Sequence, residues 1–346
     1  MRYRYLRACS IALWLVAVVV VSADDTDDFI RAEMQQKNIP GLSLVVLKHG
    51  EVIKSQGYGL ANRAFKTPAA PDTVYKIASV SKQFMATGIM VLVQQGRVSV
   101  DAPVRTYLTD APESWHDITV RHLLTHTAGL VREPPGFDPF KTTSDSDLLR
   151  TAYPVPLRFK PGERWEYSNT GYNALADIIR IVGGKPRPEF IHDAVFTVAG
   201  MTSTWPTNTT AFVPNRARGY VDNDRLRDEP KWLALRPSGG FLSTVLDLAK
   251  WDAALYTDKV LTEASRRQMW TAVTLNDGTT YPYGFGWMLG DRNGHRYVQH
   301  HGGMPGTRAT LSRFENGLTI IMSMSLDDVD IEPIVAGVAA KYLPAR

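Results

Sequence analysis

The stretch SVSKQFMATGIMVLVQQG, residues 79–96, is the part of the sequence that is most informative about the fold. It predicts a helix over 79–95 that ends at Gly96, because glycine is typical of helix C-termini. The apolar side chains of this helix are Val80, Phe84, Met85, Ile89, Met90, Leu92 and Val93. Since they lie nearly all round the helix axis, we expect the helix to be buried on most of its sides.

Ser79 and Lys82 stand three residues apart in the first turn of this helix. Side chains at this spacing lie roughly 60° apart around the axis and can touch. A serine hydroxyl is nearly inert at neutral pH, and a neighbouring amine accepts its proton only where burial lowers the pKa of the amine. Free N–H groups at the helix N-terminus would also favour an oxyanion. Ser-x-x-Lys also arises by chance, as a capping serine beside a solvated lysine, so the pattern needs support from elsewhere.

Support comes from two further motifs. Tyr167 and Asn169 flank Ser168 in a loop that enters a helix predicted over 174–181, where a phenol and an amide can point into one cleft. There Tyr167 can relay a proton to a leaving group, while Asn169 can bind a substrate carbonyl and Lys82.

The other motif is His300-His301-Gly302-Gly303, at the end of a predicted strand. Glycines at this place let a substrate backbone lie against the strand edge. The N–H of Gly303 can join that of Ser79 as an oxyanion hole.

The remaining pattern predicts strands at both ends of the chain and helices between them. A helix over 25–37 precedes a hairpin formed by 41–48 and 51–59, and strands over 283–289, 296–300, 308–314 and 318–325 precede a closing helix over 331–342. No convincing strands occur in the middle. We therefore expect an α/β fold of the α+β type: an antiparallel sheet built from both termini (about 24–100 and 236–346) and flanked by helices, with an inserted, mainly helical domain (about 101–235).

The first 23 residues differ from the rest, with Arg2, Arg4 and Arg7 followed by sixteen uncharged residues. This pattern is typical of a signal peptide cleaved after Ala23, and its apolar centre, 11–21, is short for a membrane span; an uncleaved anchor is the alternative. Cleavage would remove Cys9, the single cysteine, and three of 39 basic residues but none of 35 acidic ones. The nearly neutral remainder has no basic stripe, so we expect a periplasmic or secreted protein without a nucleic-acid partner.

In this order and at these separations, the three motifs resemble those of the class C β-lactamase family, which includes serine hydrolases and penicillin-recognising D,D-peptidases. The likeness covers nearly the whole mature chain. It includes the flanking stretches 122–130, 161–163, 237–240 and 302–306. The resemblance implies a β-lactamase/transpeptidase-like fold and acyl-enzyme chemistry, with no cofactor.

Carried over by position, the resemblance implies that Ser79 attacks a carbonyl while Lys82 and Tyr167 share general base and acid duty. How they divide the proton is left open, because the pair can titrate as a unit. Water then releases the acyl group.

For substrate binding, the resemblance implies that Asn169 orients the substrate and His300 lines the opposite wall. Gly302 and Gly303 form the strand edge, and the amide of Gly303 joins that of Ser79 on the oxyanion.

One departure bears on the substrate. Typical β-lactamases of the family have Lys-Thr-Gly where this chain has His-His-Gly, and a histidine with an unperturbed pKa of about 6.5 is mostly neutral at pH 7. Efficient β-lactam hydrolysis therefore becomes less favoured. Arg308 either restores the cation or is an ordinary exposed arginine.

Two other patterns have structural interpretations. His122 and His126 have the four-residue spacing of a zinc pair but lack the glutamate of a His-Glu-x-x-His site, which favours a structural role beneath the active site and no metal. We assign no chemistry to four tryptophans, which are Trp232, Trp251, Trp270 and Trp287.

The sequence thus predicts an exported serine hydrolase that cleaves esters or amides through Ser79. Esterase, D-amino-acid peptidase or carboxypeptidase, and weak β-lactamase activity all fit. The alternative is a non-hydrolytic penicillin-binding sensor or scaffold on the same fold. We expect a monomer that acts on a small molecule or peptide, with specificity set by loops at 131–145 and 205–230.

Overall fold

The computed structural model describes residues 25–138, 143–207, 211–221, 237–326 and 328–343. The predicted leader, Trp232 and parts of both specificity loops lie outside the described residues. Among the helices that are described, none is both long enough and apolar enough to cross a membrane.

Ten α-helices are described, joined by 3-10 turns at Ala78–Val80, Val104–Thr106 and Glu113–Trp115 and a π-helical segment at His192–Phe196. The helices are α1 (Asp25–Gln36), α2 (Ser81–Gln94), α3 (Val120–Leu124), α4 (Asp145–Arg150), α5 (Asn169–Gly183), α6 (Arg187–Ile191), α7 (Thr197–Ala199), α8 (Val245–Ala254), α9 (Glu263–Met269) and α10 (Glu332–Tyr342).

The strands form three antiparallel sheets. They are β1 (Gly41–Lys48), β2 (Glu51–Asn62), β3 (Thr67–Pro68), β4 (Tyr75–Lys76), β5 (Trp205–Pro206), β6 (Phe241–Ser243), β7 (Val273–Thr274), β8 (Thr280–Tyr281), β9 (Met288–Arg292), β10 (His295–Met304), β11 (Thr307–Phe314) and β12 (Leu318–Met324). The main sheet has seven strands in the order β3-β2-β1-β12-β11-β10-β9; the small sheets are β4-β6-β5 and β7-β8.

The two ends of the chain meet in the middle of the main sheet. β1 pairs with β12 from Leu42 opposite Met324 to Lys48 opposite Leu318. The prediction of a mixed fold with an antiparallel sheet built from both termini is confirmed.

Both faces of the central strands are buried, because successive side chains of a strand point to opposite faces. Leu44 and Val46 of β1 belong to a core with residues of α1 and α10. Val45 and Leu47, between and beyond them, belong to the larger core that includes α2 and α8. This second layer holds α2 against the sheet, with its side chains buried from Ser81 to Leu92 as predicted.

Two strand predictions were wrong. The strand predicted over 283–289 begins only at Met288, because Gly286 has a φ of 78° and the preceding residues turn back towards α2. Tyr283 and Trp287 are buried aromatic residues with a spacing that also fits one face of a strand, but their burial comes from packing in this turn. In the middle of the chain, where no strand was predicted, Trp205 and Pro206 pair with β6. A two-residue strand is too short to leave a periodic pattern.

Candidate active site

Ser79 lies in the 3-10 turn just before α2, which begins at Ser81 and not at residue 79 as predicted. The turn is entered through Ala78, whose φ of 46° is in the left-handed region that non-glycine residues rarely adopt. Backbone hydrogen bonds hold it on both sides, from Val80 N to Ile77 O (3.1 Å) and from Ile77 N to Phe241 O (3.1 Å). The hydroxyl is therefore presented from a backbone with little freedom.

Lys82 is completely buried next to this hydroxyl. Its Nζ donates to Ser79 Oγ at 3.3 Å, to Asn169 Oδ1 at 2.9 Å and to the carbonyl oxygen of Ser238 at 2.7 Å. It also lies 4.7 Å from the ring centroid of Tyr167 and 5.2 Å from that of Tyr172. Three oxygens thus fix the amine one helical turn from Ser79.

Tyr167 reaches the same hydroxyl from the helical side of the cleft. Its phenol donates to Ser79 Oγ at 2.9 Å. Ser79 Oγ therefore has two neighbours that can exchange protons, and either an unprotonated Lys82 amine or an ionised Tyr167 phenolate can accept the seryl proton. The structure brings together the three residues that the sequence predicted to be catalytic.

Asn169 is the first residue of α5, so this helix begins five residues before the predicted 174. Its side chain accepts from Lys82 and donates through Nδ2 to Glu133 Oε1 at 2.5 Å. Glu133 was not among the residues predicted from the sequence. Its position shortly after the flanking stretch 122–130 is the one feature of the sequence that could have indicated a place near the site. A carboxylate therefore holds the amide oxygen of Asn169 towards Lys82.

His300 is buried on the opposite side of the cleft, as expected. Its Nε2 lies 3.1 Å from the hydroxyl of Tyr283, and its Nδ1 lies 2.7 Å from the carbonyl oxygen of His301. Burial, aided by the nearby charge of Lys82, lowers the pKa of His300 to about 3. The ring is therefore neutral at pH 7. Tyr283 is a further residue that the sequence did not single out.

His301 does not take part in this wall. Its Nδ1 lies 2.8 Å from Thr310 Oγ1, and its Nε2 lies 2.7 Å from Glu332 Oε2 in α10. The alternation of side chains along β10 explains why the two adjacent histidines diverge. His301 therefore ties the strand to α10.

Arg308 lies beside the glycines of β10 and is only 18% exposed. Its guanidinium donates to the carbonyl oxygen of Thr307 at 3.0 Å and pairs with Asp328 at 3.1 Å. Arg308 and Asp328 line part of a cavity of about 490 Å³ that also contacts Gly302 and Gly303.

His122 and His126 play separate roles. The Nδ1 of His122 accepts from the backbone N–H of Thr119 and caps α3. His126 is bonded instead to the backbone of Ser168 and to Tyr283. Within the described residues no group of three or more His, Cys, Asp and Glu side chains could hold a metal ion.

The register of β10 orients the amide of Gly303. A two-residue turn joins Met304 to Thr307, and this closing pair is hydrogen-bonded in such hairpins. Hydrogen-bonded pairs alternate in antiparallel strands, so the N–H of Gly303 points away from β11. β9 pairs with β10 only as far as Gln299. The amide of Gly303 thus faces the edge of β10 that β9 leaves uncovered, and the turn that carries Ser79 packs against the neighbouring Gly302.

Gly302 brings this turn close to β10, and we expect a side chain there to be damaging. A Cβ at this position would lie 2.1 Å from the carbonyl oxygen of Ile77, a backbone atom that cannot move without Ser79. Gly302→Ala should lower kcat/KM about a hundredfold, the effect of a misplacement of about 1 Å. Gly171→Ala is the control, since its Cβ would meet Leu123 at an ordinary 3.4 Å. Equal kinetics of the two variants would contradict this view of the cleft.

Comparisons with known proteins match most of the chain. The Beta-lactamase family model matches residues 26–333. Penicillin-binding protein 4* of Bacillus subtilis (strain 168) is 30% identical over 313 residues, covering 84% of this chain and 69% of that protein.

Solved structures show the same similarity. The octameric penicillin-binding protein homologue from Pyrococcus abyssi has a TM-score of 0.80 and 26% identity, covering 93% of this chain and 77% of its own. D-amino acid amidase from Ochrobactrum anthropi SV3, in complex with L-phenylalanine amide, has a TM-score of 0.79 and 25% identity, covering 92% of this chain and 99% of its own.

Proposed function

Because this chain belongs to the Beta-lactamase family of serine hydrolases, we propose that it cleaves ester or amide bonds through an acyl-enzyme on Ser79. The observation that carries this proposal is the pair of contacts on Ser79 Oγ, 3.3 Å to Lys82 Nζ and 2.9 Å to the phenol of Tyr167. A hydroxyl with two such neighbours can lose its proton as it attacks and pass that proton on to the leaving group.

The proposed reaction has two halves. Ser79 Oγ adds to the carbonyl carbon while its proton moves to the Lys82–Tyr167 pair, and the amides of Ser79 and Gly303 stabilise the oxyanion. The intermediate then collapses, the bond to the leaving group breaks, and the pair returns the proton to the departing alkoxide or amine. In the second half a water molecule gives its proton to the pair, attacks the ester carbonyl and releases the acid, and Ser79 regains its proton.

The side of the cleft opposite Tyr167, where His300 lies, is suited to uncharged acyl donors. Both ring nitrogens of His300 are engaged within the protein, to Tyr283 and to the carbonyl of His301, and the ring is neutral. It therefore supplies no cation for a substrate carboxylate. This favours esters and amides over a dedicated β-lactamase activity, and one similar structure is that of a D-amino acid amidase.

We further propose that the leader directs export to the periplasm or out of the cell, on the basis of its three arginines and apolar centre. We propose a monomer that acts on small molecules or peptides, although one similar structure is described as octameric.

A substrate panel on the purified mature protein tests the activity. We expect repeated release of product from p-nitrophenyl butyrate or from a D-amino-acid amide, with kcat/KM at least about tenfold above that for a chromogenic cephalosporin, because the site lacks the cation at His300. Product would be counted per mole of enzyme. Release that stops at one equivalent would indicate the penicillin-binding sensor instead, and a cephalosporin turned over fastest would refute the substrate preference.

A further inference from the structure

Four hydrogen bonds form one continuous line beneath the active site. The backbone N–H of Ser168 donates to His126 Nδ1 at 3.1 Å, and His126 Nε2 lies 3.1 Å from the hydroxyl of Tyr283. That hydroxyl lies 3.1 Å from His300 Nε2, and His300 Nδ1 lies 2.7 Å from the carbonyl oxygen of His301. The three side chains in the line are buried, with at most 3% of any residue exposed.

The backbone groups at the two ends determine where every proton sits. A backbone N–H can only donate, so His126 Nδ1 is unprotonated and its Nε2–H donates to Tyr283. A carbonyl can only accept, so His300 carries its proton on Nδ1 and accepts from Tyr283 through Nε2. Tyr283 thus accepts from one histidine and donates to the other. A single arrangement satisfies all four bonds, and both imidazoles are neutral in it.

The electrostatics of the site agree with this assignment. Burial, together with the nearby charge of Lys82, keeps the pKa of His126 well below its usual range and lowers that of His300 to about 3. Burial also raises the pKa of Tyr283 well above its usual range. Arg132, whose guanidinium lies 5.1 Å from the ring centroid of Tyr167, adds a second positive charge that disfavours an imidazolium at His126.

The line cannot pass a proton through the protein. Both of its ends are backbone amide groups, which neither give up nor take a proton in this pH range. Its role is therefore to hold groups in place. Tyr167 is the group it can hold, because its ring lies on that of His126 with centroids 4.3 Å apart and is 6.2 Å from His300. The backbone amide that donates to His126 is that of Ser168, the residue that follows Tyr167 in the chain.

A second observation, which supports a role for the side chain of His126, concerns its backbone. His126 has a φ of 62°, a left-handed conformation that glycine would adopt with less strain. The line also joins two parts of the fold, since His126 follows α3 while His300 lies on β10 and Tyr283 precedes β9.

We propose that His126, Tyr283 and His300 form a continuous hydrogen-bonded clamp across the floor of the cleft, and that this clamp holds the phenol of Tyr167 against Ser79. The clamp rests on the proposed function, for which its members are positioning residues. Protonating His126 would turn Nδ1 into a donor facing the N–H of Ser168, so the clamp works only with neutral rings. Besides Tyr283 and His300, the charged, titratable or aromatic groups around His126 are Lys82, Arg132, Tyr167, Tyr172 and Trp165.

Tyr283→Phe removes only the hydroxyl that links the two histidines. We expect kcat to fall about tenfold to a hundredfold while KM changes less than about threefold, since a displaced phenol impairs proton transfer more than binding. The control is Tyr75→Phe, which removes another buried hydroxyl, bonded to Ser43 Oγ at 3.0 Å, and should leave kcat unchanged. Should Tyr283→Phe not fold, His300→Gln, which keeps an acceptor and a donor, should retain more activity than His300→Leu.

Nitrogen-15 NMR of labelled histidines provides a readout that does not depend on turnover. His126 should appear as the Nε2–H tautomer and His300 as the Nδ1–H tautomer, both unchanged from pH 8 to pH 5. Tyr283→Phe should shift both signals and Tyr75→Phe neither. Titration of either ring near pH 6.5, or an unchanged kcat in Tyr283→Phe, would overturn the clamp. A wild-type protein without turnover but with these tautomers would contradict the proposed function alone.

Discussion

Ser79→Ala is expected to lower kcat by about four to six orders of magnitude, the largest effect of any single substitution in this chain. The hydroxyl receives hydrogen bonds from both Lys82 and Tyr167. Without it no acyl-enzyme can form, and only the weak effect of binding and of the oxyanion amides remains. Steady-state kinetics on the best substrate of the panel measure the change.

Ser81→Ala is a control at a neighbouring serine, because Ser81 is fully buried and lies only two residues along the chain from the partly buried Ser79. It belongs to α2, and within the described residues its hydroxyl makes no hydrogen bond to Lys82 or Tyr167, so kcat should stay within about threefold of the wild type. A fluorophosphonate should label Ser79 in the wild type and nothing in Ser79→Ala, as read by peptide mass spectrometry. Labelling of another serine, or activity of Ser79→Ala within about tenfold of the wild type, would refute the assignment.

Lys82→Met is expected to lower kcat by several orders of magnitude, because residues that activate one nucleophile together lose most of their effect when any one of them is removed. Methionine has a similar length but no amine, so Ser79 loses a proton acceptor. The substitution also leaves Asn169 Oδ1 and the carbonyl oxygen of Ser238 without the donor that now bonds them. We therefore expect a loss of stability of about 1–3 kcal/mol, visible as a lower Tm.

Lys82→Arg distinguishes a proton-transfer role from a purely electrostatic one. Arginine keeps the positive charge but stays protonated in proteins, so it cannot act as a base. If the amine exchanges protons with Ser79, the arginine variant should be as inactive as Lys82→Met. Recovery of more than about a tenth of wild-type kcat would show that charge alone suffices and would contradict the proposed proton transfer.

Interactions within one helical turn could be predicted from the sequence because chain geometry fixes them. The contact between Ser79 and Lys82 follows from their three-residue spacing, and the burial of α2 follows from the distribution of its apolar residues. The prediction of a sheet built from both termini rested on the same local patterns and on turn signals such as Asn316-Gly317.

Contacts between distant segments were predicted less well. Tyr167 and Asn169 were placed in the cleft by the motif they form, although 88 residues separate Tyr167 from Ser79. Glu133 and Tyr283 belong to no motif, so their contacts with Asn169 and the two histidines could not be found in advance. The same dependence on contacts between distant segments explains why a strand was wrongly predicted to begin at residue 283.

By itself, then, the sequence determined that Ser79 and Lys82 lie close enough to interact, because a three-residue spacing places a hydroxyl beside an amine wherever a helical turn forms. Only the tertiary structure decided that His301 binds α10 and that His126, Tyr283 and His300 are joined. The physical reason is that these contacts depend on how a helical layer packs against a sheet. Side-chain packing between layers is set by all the surrounding residues together and leaves no period along the chain.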